Sequence, residues 1–91
     1  KITSVGNYFF YGCSSLTSII IPDSVKSLGK YSFFHCSSLT SIDIPKNVTN
    51  IGIEAFKYCT NLEVVIDNSK DNVNVGRDAF NKCKSVTWLK E

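Results

Sequence analysis

The chain has 91 residues, 43% hydrophobic and 20% charged, a composition of folded single domains rather than disordered segments. Ten basic against eight acidic residues leave a net charge of only +2, without the concentrated positive charge that phosphate backbones demand, so no nucleic-acid partner is expected. The longest apolar runs, residues 8–11 and 19–21, fall far short of the roughly 18 residues of a membrane span, and no membrane insertion by this segment is expected.

Cys13, Cys36, Cys59 and Cys83 are spaced 23, 23 and 24 residues apart, which marks an internal repeat rather than a metal cluster or a disulfide knot. Four units follow, at about residues 2–24, 25–48, 49–73 and 74–91, and they share Gly6/Gly29/Gly52/Gly76, Phe10/Phe33/Phe56/Phe80 and Leu16/Leu39/Leu62/Val86. The first two units match most densely, with Cys-Ser-Ser-Leu-Thr-Ser-Ile at both 13–19 and 36–42 and prolines at 22 and 45.

Each unit is read in chain order as three pieces. After the glycine comes a turn and a half of predicted helix, clearest at residues 54–59, where Phe56 and Cys59 fall three apart on one inward face. The L-x-x-L-x-L spacing of residues 16–21 and 39–44 predicts one short parallel strand, ended by Pro22 or Pro45 because proline has no N–H for a ladder. Val25 and Leu28, like Val48 and Ile51, then anchor the return to a glycine expected to take positive φ.

The third unit departs from this plan. Asp67 is aligned with Ile21 and Ile44, Asn68 with the proline, and Asn72 with Val25 and Val48. The extra residue predicts a polar loop bulging from the stack at residues 67–72, and room for a one-residue slip of strand register at residues 64–66.

No unit buries its own apolar face, so equivalent residues must stack into a continuous core. Cysteines repeated at about 4.8 Å intervals would span about 14 Å, too far for one tetrahedral zinc. They read as buried free thiols, with disulfides between adjacent rungs as the alternative, and no metal is expected.

No catalytic constellation is expected either. His35 beside Cys36 is aligned with Gly12, Tyr58 and Lys82, a variable and solvated position, and the Ser-Ser pairs recur as Thr60-Asn61 and Lys84-Ser85. Asp67, Ser69 and Asp71 alternate without the glycine and distal glutamate of a calcium loop. Repeat alignment instead sets two outward columns on the strand face, Ser18, Ser41, Val64 and Trp88 beside Ile20, Asp43, Ile66 and Lys90. These eight are the candidate ligand-binding residues, with an end-capping role as the alternative for Trp88.

The run Gly-x-x-x-Phe-x-x-Cys-Ser-Ser-Leu-Thr-Ser-Ile-x-Ile-Pro, at residues 6–22 and 29–45, resembles the BspA-type leucine-rich repeat over nearly the whole chain. The resemblance implies a right-handed α/β leucine-rich-repeat solenoid of about four repeats, each with a strand, a turn and a short helix. It also implies a cell-surface or secreted protein that adheres to host or neighbouring-cell surface and matrix proteins, without enzymatic activity or cofactor. A structural spacer projecting other domains is the alternative. The chain starts within a repeat and lacks a polar capping repeat, so it reads as a fragment of a longer protein, and its bare ends are expected to favour end-to-end self-association.

Overall fold

The computed structural model describes residues 1–91. Residues one repeat apart lie side by side, so the hydrogen-bond ladders run between successive turns of the chain. Two all-parallel sheets result. The first is built from β1 (Ser4–Val5), β2 (Ser27–Leu28), β4 (Asn50–Ile51) and β6 (Asn74–Val75), in that order. The second contains β3 (Ser41–Ile44), β5 (Glu63–Ile66) and β7 (Ser85–Trp88). A parallel solenoid is thus present, with two strands per turn where the sequence predicted one. Residues 16–21 of the first turn, expected to be a strand, join neither sheet.

The predicted helix after the glycine is absent. Between Gly6 and Cys13 the amides alternate: those of Tyr8, Phe10 and Gly12 donate forward to the carbonyls of Lys30, Ser32 and Phe34 at 2.7–2.9 Å, while those of Phe9, Tyr11 and Cys13 donate back to Gly6, Tyr8 and Phe10. The next two turns repeat this pattern, with Phe33 donating to Ala55 and Phe56 to Ala79. An α-helix directs every interior amide to its own residue i−4, and here half of them serve the neighbouring turn instead. The alternation needs left-handed backbone twice per turn, at Tyr8 (+62°), Tyr31 (+57°), Glu54 (+53°) and Asp78 (+57°), then at Gly12 (+69°), His35 (+60°), Tyr58 (+65°) and Lys82 (+72°). Positive φ at Glu54 and Tyr58 excludes a right-handed helix over residues 54–59. The one helical piece is a single 3₁₀ turn at Lys70–Asn72.

The glycines at 29, 52 and 76 are not at positive φ, contrary to expectation; they are needed for close approach. A β-carbon on Gly29 would lie 2.5 Å from the Asn7 nitrogen and 2.6 Å from the Gly6 carbonyl carbon, and one on Gly52 would stand equally close to Lys30 and Gly29. Backbone packs on backbone there, which only glycine permits.

The core is a set of columns. Val25, Val48 and Val73 form one, Phe33 and Phe56 another, and Leu28/Ile51, Ala55/Ala79, Cys36/Cys59, Leu39/Leu62, Ile42/Val64 and Ile44/Ile66 are others, all within a single buried cluster. The phenylalanine rings of all four turns stack, with centroids 5.1, 4.9 and 5.8 Å apart and planes within 20°.

Strand register slips by one in the third turn, as its extra residue allowed: Ser41 pairs with Glu63, Ile42 with Val64 and Ile44 with Ile66, intervals of 22 rather than 23. Ile66 therefore occupies the place assigned to Asp67, and Val73 the anchor place assigned to Asn72. The polar segment behind it divides, with Asn68 and Ser69 turned inward and the 3₁₀ turn Lys70–Asn72 lying exposed as the predicted loop. Asn68 and Ser69 are buried, and the Asn68 side chain donates to the Lys46 carbonyl at 3.1 Å while accepting from the Ser69 amide at 2.9 Å. An asparagine thus closes the turn that proline closes in the first two units.

Candidate binding surface

Strand pairing divides the eight strand-face residues. Ser18, Ile20, Ser41 and Asp43 are exposed and line a shallow groove of about 710 Å³ between residues 18–21 and β3, whose far side reaches Val65 and Asp67. Ile20 is 91% exposed. Val64 and Ile66, predicted to face outward, are fully buried, because the slip places them opposite Ile42 and Ile44 in the core. Trp88 falls in the same inward column as Ile66 and lies half-buried at the open end of the stack. The outward columns are Ser41/Glu63/Ser85 and Asp43/Val65/Thr87. Lys90 is exposed beyond β7, where its Nζ donates to Asp67 Oδ1 at 2.6 Å and holds that carboxyl below its ordinary pKa.

A second surface lies along the glycine-to-cysteine turns. Aromatics at the left-handed positions Tyr8, Tyr31, His35 and Tyr58, and at Tyr11 and Phe34 just before the second left-handed position, collect outside the core. Tyr8 stacks on Tyr31 at 5.0 Å, Tyr11 stacks on Phe34 at 5.0 Å, and Phe34 meets Tyr58 edge-on at 5.5 Å. His35 completes the cluster 6.1 Å from Tyr58. Tyr8 is 56% and Tyr11 50% exposed. In the third and fourth turns the equivalent places carry charge: Lys57 reaches Glu54 at 3.7 Å and Asp78 at 4.0 Å, and lies over the Tyr58 ring at 5.1 Å. The face is aromatic at one end and charged at the other. The recurrence of Tyr8 as Tyr31 and of Tyr11 as Phe34 at the repeat interval is the sequence signal for it.

The four cysteines are free thiols. Cys36 donates its Sγ proton to the Phe10 carbonyl at 3.2 Å, Cys59 to Phe33 at 3.0 Å and Cys83 to Phe56 at 3.2 Å. Each of these carbonyls also accepts the amide of the cysteine in its own turn, so the thiol supplies its second donor. The Cys36 thiol beside it and burial together hold Cys59 above the ordinary thiol range, and burial pushes Cys83 up to about 11. Such groups bind a turn to its neighbour as neutral donors. His35 is exposed, and the thiol of the adjacent Cys36 points away from it to the backbone.

A family model for the BspA-type leucine-rich repeat region matches in six copies across residues 1–90. No curated protein and no solved structure matches the chain.

Proposed function

The chain belongs to the BspA-type leucine-rich repeat family, and on that premise we propose that it is a non-enzymatic protein-binding module of a cell-surface or secreted protein. The observation that carries this reading is the surface aromatic cluster in which Tyr8, Tyr11, His35 and Tyr58 are exposed around the half-buried Tyr31 and Phe34. Tyrosine offers a large apolar surface with a polar tip at low conformational cost, and its enrichment at contact hot spots follows from that. The charged end of the same face, Glu54, Lys57 and Asp78, supplies the polar rim that orients a partner. The rings are held by the solenoid backbone rather than by mobile loops, so little ordering is left to offset on binding.

The strand-face groove is a second reading, favoured by the fully solvated Ile20 among the carboxylates of Asp23, Asp43 and Asp67. The two surfaces are separable by mutation because they share no residue. Wild type, a Tyr8→Ser/Tyr11→Ser/Tyr58→Ser variant and an Ile20→Ser/Asp43→Asn variant are passed over immobilised extracellular-matrix and serum proteins, with circular dichroism as the control for folding. The aromatic-face variant is expected to lose retention at least tenfold while the groove variant keeps it. The reverse order transfers the site to the groove. Absence of binding by the wild type to every protein tested overturns the binding role and favours a spacer that projects other domains.

A further inference from the structure

The flank of the stack that carries the glycines presents hydrogen-bond donors and positive charge without a carboxylate, and we infer that it binds a linear sulfated polysaccharide laid across the turns. The site is a shallow groove of about 400 Å³ along the first sheet. Its floor is the backbone of Gly29, Gly52 and Gly76, one wall is the column Ser27, Asn50 and Asn74, and the other begins at Asn7 and Lys30. Close approach of the preceding turn demands glycine there, and glycine in turn leaves the floor free of side chains. The groove runs along the side of the solenoid and shares no residue with the aromatic cluster or the strand-face groove.

The direction of the side-chain amides is the first observation. Asn7 Oδ1 accepts the Lys30 backbone amide at 2.9 Å, and Asn50 Oδ1 accepts from Asn74 Nδ2 at 3.1 Å. Both carbonyl oxygens are thus used between turns, while the Nδ2 groups of Asn7 and Asn50 make no bond within the protein. An asparagine side chain carries donors and an acceptor, and here the bonding between turns consumes the acceptor and leaves the donors to solvent. Such walls match a ligand rich in acceptor oxygens and poor in donors, which describes sulfate esters and carboxylates.

Charge is the second observation. Lys30 and Arg77 stand in one column with Ile53 between them, two turns or about 10 Å apart, and Lys26 adjoins the opposite wall beside Ser27. All three are exposed and none forms an ion pair, whereas Lys57, Lys84 and Lys90 are paired. No Asp or Glu occurs in residues 24–31, 47–53 or 72–77, which build this flank, while Asp43 and Glu63 lie on the second sheet. A chain of net charge +2 therefore carries uncompensated positive charge on one side. Lysine and arginine hold sulfate oxygens through charge-assisted hydrogen bonds, and the planar fork of Arg77 suits a pair of them. A nucleic acid fits less well, because no aromatic ring lines the groove on which a base could stack.

The test is binding of the 91-residue protein to immobilised heparin, read by surface plasmon resonance at low salt with circular dichroism as the folding control. Wild type is expected to bind and to be released as salt rises, because the contact is largely ionic. Lys30→Gln/Arg77→Gln is expected to bind at least tenfold more weakly. Asn50→Asp keeps an oxygen for the Asn74 bond but replaces the free donors with a charge that repels sulfate, and a loss of at least tenfold is expected there too. Lys46→Gln/Lys84→Gln removes the same charge from outside the groove and should bind within twofold of wild type. Equal loss in the two double variants would reduce the interaction to net charge and overturn the site. So would undiminished binding by Asn50→Asp, equal binding of wild type to desulfated heparin, or a wild type that ignores heparin. Tighter binding to single-stranded DNA than to heparin would overturn the choice of polyanion.

Discussion

A single β-carbon tests whether close backbone approach, rather than turn geometry, dictates the glycines. Gly29 and Gly52 sit at ordinary φ, so alanine suits their conformation, but its β-carbon collides with the preceding turn. Overpacking of this kind costs about 1–3 kcal/mol. Gly6 has the same sequence context and no neighbour, so alanine there only restricts the unfolded chain and should stabilise by about 0.4–1 kcal/mol. Urea unfolding at dilute protein is expected to move the midpoint down for Gly29→Ala and up for Gly6→Ala; equal shifts would show that turn conformation sets both sites. The cysteines show how far residue-level reading reaches. Their period and inward direction are legible because Phe and Cys recur together. Their role as second donors to the Phe10, Phe33 and Phe56 carbonyls is not, because the acceptor lies 26 or 27 residues away and becomes a neighbour only when turns stack.

At the level of elements, the glycine-to-cysteine segment is where local preference and fold disagree. Residues 54–59, Glu-Ala-Phe-Lys-Tyr-Cys, contain good helix formers, and nothing in that window announces left-handed backbone. The ladder to the adjacent turn decides the outcome, since each turn satisfies its neighbour's carbonyls only by alternating its amides. The cost falls on eight positions, seven of them without glycine. His35 isolates it, because its side chain is exposed while its φ is +60°. His35→Asn, which tolerates that region, should leave stability unchanged, whereas His35→Val should lower it by about 1–2 kcal/mol. Equal unfolding midpoints for the two variants would mean the turn relaxes out of the left-handed region. The two-residue strands at Ser4–Val5 and its equivalents were illegible for another reason: they are too short to show alternation. The L-x-x-L-x-L strand of the second unit is legible, and the predicted outward columns fail in the third because the chain is one residue shorter there between Leu62 and its strand than the 23-residue interval. Val64 and Ile66, outward at that interval, belong to the core.

For the molecule as a whole, stability follows from the number of neighbours each turn has. A solenoid is held by contacts between adjacent turns, so an inner turn gains on two sides and an end turn on one. The burial pattern has this shape: Phe33, Phe56, Cys36 and Cys59 are fully enclosed, while Phe10, Phe80, Cys13 and Cys83 in the same columns are partly open. The first turn is weaker still, since residues 17–21 donate no backbone hydrogen bond and lie beside the second sheet without joining it. Opening should begin there and progress inward, because losing the first turn exposes the second without disturbing the third. Native-state hydrogen exchange at dilute protein is expected to rank the amides accordingly. Phe33 and Phe56, each donating at 2.7 Å to the buried Ala55 and Ala79, should exchange at the global unfolding limit, and Phe10, making the same 2.7 Å bond to Ser32 from the edge, should exchange faster than either. Residues 17–21 should exchange with almost no protection. Equal protection of Phe10, Phe33 and Phe56 would mean that the four turns unfold as one cooperative block, and that stacking alone does not account for how this chain holds together.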